Sequence, residues 1–478
     1  MGFMGHTREK KMAKNAVLYF VGNFASKILN IVLVPIYMTY LDADLFGTVD
    51  IMLSLSAMIA MMMSLDMTDA VYRYLADEND DKKRAEVITN AVFVYIVGCV
   101  VFGAVYFPLL PLFTFRYALI FGLHVIIVQF GQFMLQISRG MRENIHYAIG
   151  GVIVTFLQGI TNIVLIVIFS FDASSILIAG IIGQVGLIVY ITVATKWYRY
   201  LKRDMLNRGL IMDMVKYSWP LFVQVLLLWI VQCSGTYLMT YFSGNTIKSG
   251  IYGMANKFPT ILYSLSSIFL IAWQESAIIV KDDSDAKDYY NRMYSWYFWA
   301  LIIAVTFLLP VLKVYFCYFG KNSYGDVWIY VPILLFGAFL YCLAQFVGMH
   351  FTVTYSTINL VKSLFAPVAV TVIIDIFLVK RWEIFAVTIS QLIAFFLTLF
   401  VRKKQSGGLY KVDFRTKTSV ILLTMFVSSF IIYYVFGFIL QLLFLGVVSL
   451  LYIFIFRKKV KLLCEYIKHK VGLVTHRN

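Results

Sequence analysis

The sequence predicts an all-α polytopic membrane protein of about fourteen transmembrane helices, built as two six-helix lobes in a parallel pseudo-twofold repeat plus two carboxy-terminal helices. Three observations predict it. Hydrophobic residues make up 61% of the 478 and charged residues only 14%, with a mean hydropathy of +0.81, which excludes a soluble globular chain. Apolar runs of about 18 residues or more recur from end to end. Short elements after the first and seventh runs repeat 201 residues apart.

The first run, 15–40, has charged flanks and is too long for a cleavable signal segment. The second, 46–75, follows the turn Leu41-Asp-Ala-Asp-Leu-Phe46-Gly47 and contains Asp69-Ala-Val-Tyr-Arg73-Tyr74 near its end. Runs 87–110, 116–138, 148–170 and 174–195 complete an amino-terminal lobe, 1–195. Runs 217–242, 249–280, 289–312, 327–352, 362–379 and 384–401 form the second lobe, 196–401. Runs 418–436 and 438–456 stand outside the repeat, in a segment 402–478 that ends in a basic tail.

The repeat rests on identical helix ends, Met38-Thr39-Tyr40 and Met239-Thr240-Tyr241. A long helix follows each, and then a dense charged loop: Asp77-Glu-Asn-Asp-Asp-Lys-Lys83 in one half, Lys281-Asp-Asp-Ser-Asp-Ala-Lys287 in the other. Six helices per copy is an even number, so both copies run in the same direction about an axis along the membrane normal.

Charge fixes the expected orientation. With a cytoplasmic amino terminus, and with Arg116, Arg292 and Lys362 at the edges of spans counted with the adjoining loops, 32 of the 41 Lys/Arg fall in inner segments, six in outer ones and three within spans, which predicts both termini inside. The net charge of +16 is thereby topological, and no nucleic-acid partner is needed to explain it. Arg457-Lys-Lys459 and Lys461 stand where anionic membrane lipids would meet them. The five cysteines lack CxxC spacing and suggest neither a disulfide framework nor a zinc site, and no motif asks for a cofactor. No loop is long enough for a soluble domain, so function is expected inside the helix bundle.

Lys27 is the most demanding residue. It lies about 13 residues, or roughly 20 Å, from the nearest flanking charge, too far to snorkel. Asn23, Lys27 and Asn30 share one helical face. Arg73 and Lys257 are the other cations within spans, and Lys257 shares a face with Gly253, Thr260, Ser264 and Ser267. The fourth helix carries Gln129, Gln132, Gln136 and Arg139 on one face, with His124 upstream; the fifth adds Thr155, Gln158 and Asn162, the seventh Gln224 and Gln232. These stripes predict a polar, cationic central cavity in which Lys27, Lys257, Arg73 and Arg139 bind substrate, lined by Asn23, Asn30, Gln129, Gln132, Gln136, Thr260 and Ser264.

Each has a plainer reading. Serine, threonine and glutamine stripes serve equally well as glue between helices. Arg73 has an intrahelical partner in Asp69. Lys27 and Lys257 have no carboxylate one turn away, which favours a lumen contact over a buried interhelical ion pair. His124 suits a hydrogen-bonded interior histidine better than a proton carrier, though His124 and Asp69 are the candidates for ion coupling. Asp375 is near the outer interface and Lys380, so pairing or solvation is expected. Six prolines in or beside spans, Pro35, Pro220, Pro259, Pro310, Pro332 and Pro367, offer kinks or fill curved packing. Lysines as the deepest charges imply an anionic cargo, for which a lipid-carried diphosphate fits, and disfavour export of organic cations.

The opening helix with its basic flank, the turn at 41–47, the stretch Asp69-Ala-Val-Tyr-Arg73-Tyr74 and the segment Gly250-Ile-Tyr-Gly-Met-Ala-Asn-Lys257-Phe together resemble the Wzx-type polysaccharide repeat-unit flippases of the multidrug/oligosaccharidyl-lipid/polysaccharide exporter superfamily. The resemblance spans essentially the whole chain. It implies a flippase moving undecaprenyl-diphosphate-linked oligosaccharide across the bacterial cytoplasmic membrane for capsule, exopolysaccharide, O-antigen or teichuronic-type polymers, with polymerase and other assembly proteins as partners. It also implies that Arg73 and Lys257 are recurrent basic positions and Lys27 a first-helix cation. A membrane polymerase or ligase of the same pathway would need a large outer loop with catalytic Arg/His groups; the longest outer segment, Lys313 to Asp326, holds no histidine.

Overall fold

A computed structural model describes residues 32–76, 78–112, 117–244, 246–280, 285–319, 324–354, 356–412, 414 and 417–452. Among them there is helix and no strand. Residues 32–40 are helical, α1. There follow α2 (Ala43–Ser64), α3 (Met67–Ala76), α4 (Asp81–Tyr106), α5 (Ala118–Gly140), α6 (Asn144–Ile163, continued by a π turn Val164–Ile168) and α7 (Ser174–Thr195). Then come α8 (Arg208–Ser243), α9 (Ile247–Ala255), α10 (Pro259–Val280), α11 (Ala286–Phe319), α12 (Val327–Val353), α13 (Ile358–Trp382), α14 (Ile384–Gln405), α15 (Lys417–Val435) and α16 (Phe438–Tyr452).

Eleven of the described helices are long and apolar enough to cross a membrane. The other three expected spans are accounted for individually. The first lies mostly outside the described residues, 249–280 is divided between α9 and α10, and α16 is short. Much of the outer surface is apolar: Val193 is 70% exposed and Phe377 74%, which water would penalise and hydrocarbon does not.

Capping follows from local sequence. The Asp80 carboxylate accepts the Lys82 N–H at 3.0 Å to open α4. The Asn207 side chain accepts from Gly209 and Leu210 to open α8, which ends on Gly244 in the left-handed region at φ 67°.

Two helices expected to be continuous are broken. The span 46–75 divides at Leu65 and Asp66, both left-handed at φ 49° and 53°; their N–H groups return to Met62 and Met61, and Asp66 Oδ1 accepts the Thr68 hydroxyl at 3.0 Å. The span 249–280 divides at Asn256–Phe258, because Pro259 has no N–H and its ring collides with the carbonyl four residues back; it therefore opens α10. Lys257 sits in this break.

By contact the chain forms two compact units, one of Met1–Asp283 with Asn322–Gly407, the other of Ser284–Lys321 with Gly408–Asn478. In the second, α11 packs on α15, Tyr290 stacks on Tyr410, and Gln441 Nε2 donates to the Ile432 carbonyl at 2.7 Å to close the α15–α16 turn. In the first, one core joins α3, α4, α5 and α7 through Val71, Leu75, Ile88, Phe133 and Leu187, with Tyr95 stacked on Phe133 at 5.2 Å.

The same unit contains the meeting of the two repeats. α2 crosses α9 at Gly47 and Gly250, positions 203 residues apart. A Cβ on Gly47 would strike the Thr246 carbonyl oxygen, and one on Gly250 would strike that of Ala43. Backbone-to-backbone approach of this kind is how small residues bind membrane helices together. Polar contacts run along the seam: the Thr246 N–H and hydroxyl donate to Asp44 at 3.0 and 2.6 Å, Thr48 and Thr246 hydroxyls meet at 3.0 Å, and Trp229 Nε1 donates to the Ser54 carbonyl at 2.9 Å.

The seam makes a testable demand. A Thr48→Cys, Thr246→Cys pair is expected to form a disulfide under mild oxidation, and adding Gly250→Leu should reduce its yield severalfold by forcing the helices apart. Equal yields with and without Gly250→Leu, on a gel of the purified protein, would show that the crossing is not set by glycine.

Candidate functional site

Lys257 is placed by the break. Its ammonium lies 3.1 Å from Asp50 Oδ1 of α2 and 5.7 Å from the Phe46 ring, and the side chain is 30% exposed. The partner comes from 207 residues away, so the lack of a carboxylate within its own helix concealed an interhelical ion pair. A signal for it was present: the 203-residue offset that pairs Gly47 with Gly250 also pairs Asp50 with Gly253. A Cβ on Gly253 would occupy the space of the Asp50 carboxylate. On α9, Lys248 is ion-paired with Glu383.

The rest of the Lys257 stripe is locally satisfied. Thr260 Oγ1 donates to the Lys257 carbonyl at 2.5 Å, Ser264 to that of Thr260 at 2.5 Å and Ser267 to that of Ser264 at 2.8 Å. Such back-bonding leaves each hydroxyl oxygen as an acceptor, with its proton already used. Lys27, Asn23 and Asn30 lie outside the described residues.

Arg73 and Arg139 belong to the other end of the first repeat. Arg139 Cζ stacks 4.0 Å over the Tyr72 ring, and Asp69 lies in the field of that guanidinium. Arg73 is exposed on α3, next to Tyr74, whose ring meets Tyr217 of α8 edge-on at 6.2 Å. In the loop that follows, the Glu78 carboxylate accepts the N–H groups of Asp80 and Asn79 at 3.0 Å each, with Lys83 at 3.6 Å; these hold its carboxyl below the usual range.

Three glutamines of α5 face one cavity, and Arg139 of the same stripe is not part of its lining. Gln129, Gln132, Gln136 and His124 line a cavity of about 470 Å³ together with Asp66, Gln158 and Gln184. Its walls come from α2, α5, α6 and α7 and the α2–α3 break. His124 is buried, its Nδ1 joined to the Ser56 hydroxyl at 2.9 Å, and Gln129 Nε2 donates to Ser64 Oγ at 2.9 Å. Asp66 and Gln184 were invisible to helical spacing, one lying in a left-handed break and the other on a different helix.

Two further charges are buried in the first unit. Asp375 was expected to pair with Lys380 or to be solvated; it is instead fully buried, accepting the Ser234 and Ser390 hydroxyls at 2.8 and 2.6 Å. Lys380 is five positions after Asp375, which turns them to different faces of α13. Arg402 is also fully buried, donating to Ser363 Oγ, the Ala344 carbonyl and Gln345 Oε1 at 3.1, 2.9 and 2.7 Å. Among the described residues no group of His, Cys, Asp or Glu is arranged to hold a metal, and Cys99, Cys233, Cys317 and Cys342 are free.

The ion pair can be weighed by a double-mutant cycle. Lys257→Met and Asp50→Asn should each lower the melting temperature in detergent. Their combination should cost less than the sum, with a coupling of roughly 1 kcal/mol for a partly exposed pair. Strict additivity would mean that the two charges do not stabilise one another.

Residues 12–274 match the family model described as polysaccharide biosynthesis protein. No curated protein matches the chain. Among solved structures, the lipid II flippase MurJ in an inward closed conformation is similar with a TM-score of 0.64 at 12% identity, over 93% of this chain and 100% of that one. An inward-facing multidrug resistance MATE family transporter of the MOP superfamily is similar with a TM-score of 0.62 at 12% identity, over 80% and 94%. At such identity the likeness establishes the fold.

Proposed function

The chain belongs to the polysaccharide biosynthesis protein family, and we propose that it is a flippase carrying undecaprenyl-diphosphate-linked oligosaccharide across the bacterial cytoplasmic membrane for a surface polysaccharide. The observation that carries this reading is Lys257, a partly exposed cation in a helix break at the seam between the two repeats. A diphosphate reaching that break competes with Asp50 for the ammonium. Winning it removes one of the contacts that hold α2 against α9, so headgroup binding and separation of the seam favour one another. Lys27 supplies a second cation in the first helix, and Arg73 and Arg139 attract the headgroup at the opposite end of the first lobe. The lobes of helices 1–6 and 7–12 then rock about this site, with the lipid tail in the bilayer. Both termini are cytoplasmic in this reading, which the distribution of Lys and Arg supports.

Export of an organic cation is the second reading, favoured by two carboxylates within the bundle: Asp66, which shares its cavity with five glutamines, and the more deeply buried Asp375. Its two serine hydroxyls and complete burial leave no opening for a bulky cation. A polymerase or ligase reading lacks a catalytic outer loop.

Lys27→Ala and Lys257→Ala should each cut surface polymer at least tenfold while the protein still reaches the membrane, and Lys→Arg should be better tolerated because charge is kept. Normal polymer from the folded double variant would refute the reading. Impermeant thiol reagents applied to intact cells should label cysteines placed in 243–248 and 313–326 and spare those in 402–416; labelling of the last would invert the topology.

A further inference from the structure

We infer that the cavity between α2, α5, α6 and α7 is the sugar subsite of this transporter, a pocket whose carboxamides take the hydroxyls of a neutral glycan while the diphosphate is held by cations elsewhere. The inference rests on the flippase reading and goes beyond it by assigning the glycan to one lobe.

The lining is the first ground. Five glutamines, Gln129, Gln132, Gln136, Gln158 and Gln184, converge on one cavity. A carboxamide both donates and accepts, as a hydroxyl does, and carries no net charge. A wall of carboxamides therefore suits a neutral polyol.

Unsatisfied acceptors are the second. Gln184 is 5% exposed, and its Oε1 has no hydrogen-bond partner; the buried Gln136 Oε1 has none either. A polar network whose purpose was to bind helices together would close on itself, since an orphaned buried acceptor opposes folding. Both atoms are buried as the side chains stand, Gln184 Oε1 against Gly131, so each reaches a ligand hydroxyl once its carboxamide turns toward the cavity.

The backbone has also made room. A Cβ on Gly131 would overlap Gln184 Oε1, and one on Gly180 would lie 2.8 Å from His124 Nε2. Glycines at these points let polar side chains lie against the walls with the middle left open. At one end of the cavity the consecutive left-handed residues Leu65 and Asp66 turn the chain and bring the Asp66 carboxylate to the lining, where it can accept two hydroxyls.

Size separates a sugar from an ion. The volume of about 470 Å³ falls among small-molecule pockets of roughly 300–1,000 Å³ and is far larger than an oxygen cage closed around one cation. Ala57 and Gln132 line it and are exposed, so it can be entered.

The test compares two ligands on the purified protein in nanodiscs: bare undecaprenyl diphosphate, and the same lipid bearing the oligosaccharide extracted from the source cells. Q136L/Q184L should weaken binding of the glycosylated lipid about tenfold and change that of the bare lipid less than twofold. Ala57→Trp fills the space without replacing a glutamine and should give the same split, which guards against a double variant that fails to fold. Equal losses for both lipids, or no loss for either, would overturn the sugar subsite while leaving the flippase standing. Failure of the unaltered protein to bind either lipid would overturn both.

Discussion

Inside a hydrocarbon slab a backbone N–H or C=O has no water to turn to, and every other feature of this molecule depends on that constraint. It makes the chain helical, and it makes each interruption of a helix expensive unless protein or a polar cavity surrounds it. The two interruptions found within expected spans obey this rule. Leu65 and Asp66 return their N–H groups to the preceding turn, and Asp66 opens onto the glutamine cavity. The break before Pro259 turns Lys257 toward a carboxylate of the other repeat. Both fall in the second helix of a repeat, where the chain places its most unusual polar groups.

In the proposed cycle the seam between the repeats has to be closely packed and yet able to open. Gly47 and Gly250 allow backbone contact without locking side chains, so the apolar part of the crossing can re-form after separation. Specificity comes from a few polar contacts, Asp44 with Thr246, Ser54 with Trp229 and Asp50 with Lys257. At about 1 kcal/mol each, their sum is of the size by which a ligand shifts a two-state equilibrium. A seam built from large interlocked apolar side chains would be harder to open, and one built from glycine alone would slip.

Most of the helices were legible in the sequence because hydropathy and length alone identify them. The copies could be matched because Met38-Thr39-Tyr40 and Met239-Thr240-Tyr241 survive in both. The glutamine face of α5 was legible for the same reason, since spacing along one helix is a one-dimensional fact. What could not be read is three-dimensional. Leu65-Asp66 carries neither glycine nor proline, so nothing local announces a left-handed break. Asp50 and Gln184 matter through what faces them from another helix, and Asp375 was misread because nearness in sequence to Lys380 stood in for nearness in space.

The carboxylates missed in this way change the electrostatic picture. A cavity lined by unpaired lysines would bind anions tightly in every state and release them poorly. Lys257 paired with Asp50 behaves differently: without cargo each ion is the other's compensation, which avoids leaving a bare charge at depth. In the proposed function an arriving anion must displace Asp50, and Asp50 returns when the anion leaves. Affinity is thus limited by the pair that the cargo breaks, and the same carboxylate that weakens binding restores the α2–α9 contact afterwards. A transporter must bind and release on every cycle, and a cation with a resident counter-ion does both where a cation alone would do only the first.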